Sequence, residues 1–165
     1  MSLIDKLEAL FVDKSSSGVY FLDSNISIGK LADIAGKDKY AYVFMNGKSI
    51  LDKESFIQTL ADKMNFPDYF GENWDALEEC LRDLDWFSAG GYIVVYDHFE
   101  VFEEKEPKEF KVALEIFQSA IDYWKELGIP MYFLLSGKET IATKHNVPKL
   151  SSVLKKGGSR QNGNN

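Results

Sequence analysis

The hydrophobic pattern of the chain changes period several times, and each change marks an element. Leu3, Leu7, Leu10 and Phe11 recur at helical spacing, which predicts a short helix over 2–12. A Ser/Gly turn over 14–18 leads into Val19-Tyr20-Phe21-Leu22, an apolar run of strand length. Residues 27–35 predict a second helix, stopped by Gly36. The aromatic run from Tyr40 to Met45 predicts a strand ending in the turn Asn46-Gly47. After Asp52, a capping residue type, Phe56, Ile57, Leu60 and Met64 place one buried stripe on a helix over 52–64. Pro67 breaks that helix and Gly71 allows a turn. Asn73 to Leu84 carries the next stripe, with Leu77, Cys80, Leu81 and Leu84 at i, i+3, i+4, i+7. Gly90-Gly91 punctuates, and Tyr92 to Tyr96 is then nearly all apolar, the pattern of a strand buried on both faces. Residues 110–127 predict the longest helix, with Gly128 and Pro130 just past its end. Met131 to Leu135 is another buried strand. From residue 145 onward the chain turns polar, and 145–165 is expected to be a disordered tail.

Strands separated by helices predict an α/β fold, a small three-stranded parallel sheet covered by helices over 39–140. Residues 1–38 form an N-terminal extension. Three roles are open for this extension: to add a short strand to the sheet, to shield the sheet edge or to make a second contact. No internal repeat is visible.

Composition narrows the function classes. Apolar residues make up 45% of the 165 and aromatic ones 14%, enough for a sizeable core. A net charge of -7 makes the chain a poor general binder of nucleic-acid backbone, which attracts lysine and arginine. The single cysteine, Cys80, forms no internal disulfide, and two histidines, His98 and His145, offer little for metal ligation. His145, near the polar end, is expected to be solvated. No apolar run of 18 residues exists, so no membrane partner is expected. The start, MSLIDKLEAL, lacks a basic region followed by an apolar one, so the expected compartment is the cytoplasm.

The acidity is concentrated in two segments. Asp68, Glu72, Asp75, Glu78, Glu79, Asp83 and Asp85 stand against Arg82 alone, and six acids over 97–109 stand against Lys105 and Lys108. The remainder of the chain is net basic. The 97–109 acids are expected to form a solvated loop, with a second contact patch as the alternative. Their counterparts on the 73–84 helix are more pointed. At about 100° per residue, Asp75 and Glu79 lie nearly opposite the buried stripe, and Asp83 falls one turn on. Like charges at i, i+4 disfavour a helix by roughly 0.2–0.5 kcal/mol each. Such a ridge is either an ordinary wet face or a surface for a basic partner. In the loop before it, Tyr69, Phe70 and Trp74 divide between core packing and an exposed aromatic anchor. Paired carboxylates can serve acid–base chemistry, but these lie on a convex face, so no catalytic residue is expected. Ridge spacing also spreads the three acids too far for one cation, so neither metal nor cofactor is expected.

The run Phe66-Pro67-Asp68-Tyr69-Phe70-Gly71-Glu72-Asn73-Trp74-Asp75-Ala76-Leu77, continued by Cys80-Leu81, resembles the signature of the barstar family, intracellular inhibitors of barnase-type ribonucleases. The element order over roughly 40–137 agrees with it. The resemblance implies an inhibitor, not an enzyme, that blocks a basic ribonuclease with an acidic helix and the loop before it. By the same resemblance, Tyr69 matches a tyrosine that touches the ribonuclease and Asp75 an aspartate of the inhibitory helix. Glu79 matches the acid that enters the nuclease active site where a substrate phosphate would sit. Glu78 and Asp83 complete the expected partner-binding set. Phe66, Pro67, Gly71, Asn73 and Leu77 are the expected structural positions. Some positions differ. Glu79 is one methylene longer than the family's aspartate, and Glu78 and Leu84 stand where barstar has tryptophans. Ser119 falls where barstar has an acid, and Tyr123 or Glu126 replaces another. The alternative function is an acidic interaction or immunity module for a basic partner other than a ribonuclease, such as a toxin.

Overall fold

A computed structural model describes residues 2–23, 26–68 and 71–154. Helix α1 (Leu3–Val12) opens with a capping box in which Ser2 and Asp5 bond each other's backbone N–H. Strand β1 (Gly18–Phe21) follows, then α2 (Ile28–Lys37), capped by Ser27. Strand β2 (Ala41–Asn46) leads to α3 (Lys53–Lys63), whose Asp52–Ser55 pair forms a second capping box. Helix α4 (Trp74–Leu81) precedes β3 (Tyr92–Asp97). After α5 (Glu100–Lys105), α6 (Pro107–Glu126) starts on a proline, whose missing N–H has no helical partner to lose there. Strand β4 (Met131–Ser136) and α7 (Glu139–Lys144) complete the set.

The fold is α/β with a parallel sheet, as expected, but the sheet has four strands rather than three, in the order β1-β4-β3-β2. The extension supplies the fourth. Gly18 to Phe21 pair in register with Tyr132 to Leu135, so β4 is internal. The other expected strands sit one residue from their sequence-based positions. Strand side chains alternate between two cores. Tyr92, Val94, Tyr96 and Phe133 join Phe56, Leu60, Leu77, Leu81 and Phe117 from α3, α4 and α6. Ile93, Val95, Tyr132 and Leu134 join Leu7, Phe11, Leu31 and Ile34 from α1 and α2. The extension therefore both lengthens the sheet and covers its second face. The Tyr132 hydroxyl bonds the Leu10 carbonyl at 2.6 Å, tying that face to α1.

Three further expectations, on the end of α4 and on the stretch after 144, need correction. The helix over 73–84 stops at Leu81. Leu84, placed by periodicity on the helical stripe, sits after it at a left-handed φ of 52° with its side chain buried. The stretch from 145 is not wholly a free tail. The Phe21 N–H bonds the Pro148 carbonyl at 2.8 Å, residues 150–154 are helical, and Leu150 and Leu154 are buried. The sequence signal for this lies in Leu150, Val153 and Leu154, apolar residues spaced for burial. His145, expected to be solvated, is almost wholly covered.

Leu77 is fully buried at the centre of α4. Leu77→Ala is expected to lower stability by about 2–5 kcal/mol, as truncations of packed leucines do. Chemical denaturation of the purified variant measures this, and an unchanged midpoint would overturn the phasing of α4.

Candidate functional site

Helix α4 is short and held from several sides. Asn73 caps it, its side-chain oxygen accepting the Ala76 N–H at 2.8 Å, while its amide donates to the Gly71 carbonyl at 3.3 Å. Glu72 and Leu84 bracket the helix at φ values of 53° and 52°. Left-handed backbone disfavours residues with a Cβ, and at Leu84 full burial of the side chain offsets it. Trp74, Leu77, Cys80 and Leu81 turn inward, with Trp74 half-buried. Burial pushes the Cys80 thiol up, and the nearby Asp83 and Glu79 add to the shift, so it stays protonated at neutral pH.

The outward side carries the acids. Asp75 and Glu79 are exposed and belong to α4, and neither joins an ion pair among the described residues. Asp83 is exposed too, but it lies in the turn past the helix end, so it does not continue the ridge as a helical third member. Glu78 is half-buried and faces Arg82 at 3.9 Å, a loose i,i+4 pair. Phe66 and Pro67 are half-buried where α3 ends, Phe66 packing edge-on to Trp86 with ring centres 5.9 Å apart. Gly71 is exposed. Tyr69 and Phe70 lie outside the described residues. On α6, Ser119 is half-buried, Glu126 is exposed, and Tyr123 is among the few large exposed apolar side chains.

The second acidic segment differs. It is not a solvated loop but helix α5 and the start of α6, and its acids are engaged inside the chain. Glu100 accepts the Lys138 N–H at 3.0 Å, Glu106 the Lys53 N–H at 2.8 Å and Glu109 the Trp74 indole N–H at 2.7 Å. Glu104 meets Lys138 at 2.8 Å. Glu103, with its side chain 2% exposed, receives both Lys144 and His145 at 2.7 Å. An acid run reads the same in sequence whether its partners are water or distant residues. The partners here lie as many as 53 residues away, beyond any local pattern.

Burial opposes ionisation of Glu103, but the hydrogen bonds and charges of Lys144 and His145 outweigh it and hold its carboxyl below the usual range. The folded-state value lies below the unfolded one. The contribution to stability is therefore complete above the unfolded value of 4.5 and is lost as pH falls through the folded value. Glu103→Ala is expected to destabilise the chain by about 3 kcal/mol at neutral pH, near the low end for breaking a buried pair because Lys144 stays wet. It should also flatten the acid limb of the melting temperature against pH. An acid limb identical to that of the unmodified chain would count against the assignment.

Among the described residues no group of three or more His, Cys, Asp or Glu is placed to hold a metal ion, and no helix is long and apolar enough to cross a membrane. What α4 offers is two exposed carboxylates, Asp75 and Glu79, that meet no cation among the described residues.

Comparison with known proteins adds three findings. The family model described as Barstar (barnase inhibitor) matches residues 40–136. A protein of Bacillus subtilis (strain 168), named putative ribonuclease inhibitor YrdF, is 31% identical over 88 residues, covering 44% of this chain and 97% of its own. Among solved structures, Cdc6p from Pyrobaculum aerophilum superposes with a TM-score of 0.55 at 16% identity, over 85% of this chain and 39% of that one. The Aeropyrum pernix ORC2 protein does so at 0.53 and 16%, over 92% and 44%. This chain thus spans about two-fifths of those structures, and at such identity the likeness shows the fold alone. Gly47-Lys48-Ser49, after β2, ends like a phosphate-binding loop, but Tyr42 stands where that motif needs its first glycine. Gly47 serves packing instead, since a Cβ there would overlap the carbonyl oxygens of Asp97 and His98.

Proposed function

The chain belongs to the barstar family, and from that premise we propose that it inhibits a basic ribonuclease by seating α4 and the loop before it in the enzyme's active site. The observation that carries this reading is the contrast between the two acidic segments. One is tied into the fold by Lys53, Trp74, Lys138, Lys144 and His145; the other leaves Asp75 and Glu79 exposed on α4 and without an ion pair among the described residues. A ribonuclease holds a polyanion and so lines its cleft with cationic groups. Carboxylates presented there compete with RNA for those groups, and inhibition needs occupation rather than chemistry by this chain. Burying a carboxylate is favourable only where the partner supplies charged hydrogen bonds, so a neutral surface would bind the ridge poorly. Long-range attraction speeds the encounter, and salt weakens it. The proposed partner-binding set is Tyr69, Asp75, Glu78, Glu79 and Asp83, in a protein acting in the cytoplasm.

Titration of a purified basic ribonuclease with the chain tests the proposal. Cleavage of RNA should fall linearly to near zero at one equivalent at low salt, and the affinity should drop as salt rises. Unchanged cleavage across ribonucleases of this type would overturn it. One observation favours a second reading. Glu78, at a position that barstar fills with tryptophan, faces Arg82, so the surface here is more charged and less aromatic. Such a surface also suits a basic partner of another kind, a toxin domain for example. Salt-sensitive capture of a non-nuclease protein, lost in Glu79→Ala, would support that reading over the first.

A further inference from the structure

Two tryptophan indoles bond α4 to α6, one in each direction. At the start of α4, Trp74 Nε1 donates to Glu109 Oε2 at 2.7 Å. At its end, Trp124 Nε1 on α6 donates to the Leu81 carbonyl at 2.7 Å. That carbonyl lies in the last turn of α4, where a helix leaves its own acceptors unpaired. The Trp74 ring also lies 6.1 Å from that of Phe56, and the Lys53 ammonium stands 5.5 Å from its centre. Lys53 opens α3, and Glu106 accepts its backbone N–H. Glu106, just before α6, and Glu109 in its first turn therefore anchor the starts of two helices. A charged acceptor makes the stronger bond to an indole N–H, and an acid is favoured in the first turn of a helix. Helix α4 has only eight residues, too few to persist alone.

We infer that Glu109, Trp74 and Trp124 form a two-point clamp that fixes α4 on α6 before any partner arrives, which makes Glu109 a positioning residue for the acidic ridge. Its value for binding rests on the reading proposed above. A ridge ordered in advance spares the complex the entropy of ordering it at contact.

Hydrogen exchange of the α4 amides in the full chain, read with the Trp74 indole N–H signal, tests the clamp without a partner. Glu109→Ala removes the acceptor, whereas Glu109→Gln keeps an acceptor oxygen. Glu109→Ala should speed exchange of the amides of residues 77–81 roughly tenfold or more relative to β3 and shift the Trp74 indole signal. Glu109→Gln should restore most of the protection. Unchanged α4 exchange in Glu109→Ala, or failure of Glu109→Gln to restore it, would overturn the clamp. Association with purified barnase is measured in parallel. If the unmodified chain binds and Glu109→Ala binds equally fast and tightly, the positioning role is overturned. If the unmodified chain does not bind while exchange behaves as stated, the clamp stands and the ribonuclease reading loses that target.

Discussion

Glu79→Ala is expected to weaken binding of the cognate partner by about 2–5 kcal/mol, a loss of roughly 30-fold to several thousandfold in affinity, with little change in stability. The size follows from what the substitution leaves behind. If Glu79 seats among cationic groups, its removal strands those charges in a desolvated pocket, and much of the loss is the cost of leaving them unpaired. Close charge pairs at the barnase–barstar interface couple by about 1.5–7 kcal/mol, a range that belongs to that related complex and serves here only as a guide to scale. Stability should hold because Glu79 is exposed and joins no ion pair among the described residues. Surface changes of this kind stay within about 0.5 kcal/mol. Titration calorimetry with the partner and a thermal melt of the free variant give the two numbers. Equal losses in both would show that the residue serves the fold and not the interface.

Removing residues 1–38 is expected to abolish cooperative folding. Without α1, β1 and α2, one face of the sheet loses most of its cover and keeps only Leu150, Val153 and Leu154 against it. Ile93, Val95, Tyr132 and Leu134 are fully buried there. Each such side chain contributes about 1.5–3 kcal/mol by burial, so these four alone account for roughly 6–12 kcal/mol as an upper bound. A whole domain is stable by only about 5–15 kcal/mol. The Tyr132 hydroxyl would also lose both its acceptors, the carbonyls of Leu10 and Asp13. Strand β4 would become an open apolar edge, a template for aggregation. Circular dichroism and dye binding of the purified 39–165 chain check this. A sharp melt close to that of the full chain would show that the fold does not need the extension.

The sequence carries its local geometry openly. Capping residues at Ser2, Ser27, Asp52 and Asn73 begin helices as their chemistry predicts. Runs such as Tyr92 to Tyr96 announce strands buried on both sides, because no polar alternation marks a wet face. The period of Leu77, Cys80 and Leu81 puts Asp75 and Glu79 on the outer side of α4, where they are found exposed. Periodicity misplaces Leu84 and Asp83 because a left-handed residue lets a buried leucine keep the apolar spacing after the helix has ended.

What the chain determines by itself, then, is its capped helices, its doubly buried strands and which way the acids of α4 face, since these follow from contacts within one or two turns, whereas α5 and α7 are not legible in it. Whether an acid is free or consumed is different in kind. Glu79 and Glu103 are the same residue type, each in an acidic stretch, yet one is exposed and the other lies beneath Lys144 and His145. That distinction depends on groups some forty residues away brought together by the fold, and the pairing of β1 with β4 joins residues more distant still. Only the tertiary structure decides it, because charge is neutralised by proximity in space and not by neighbourhood along the chain.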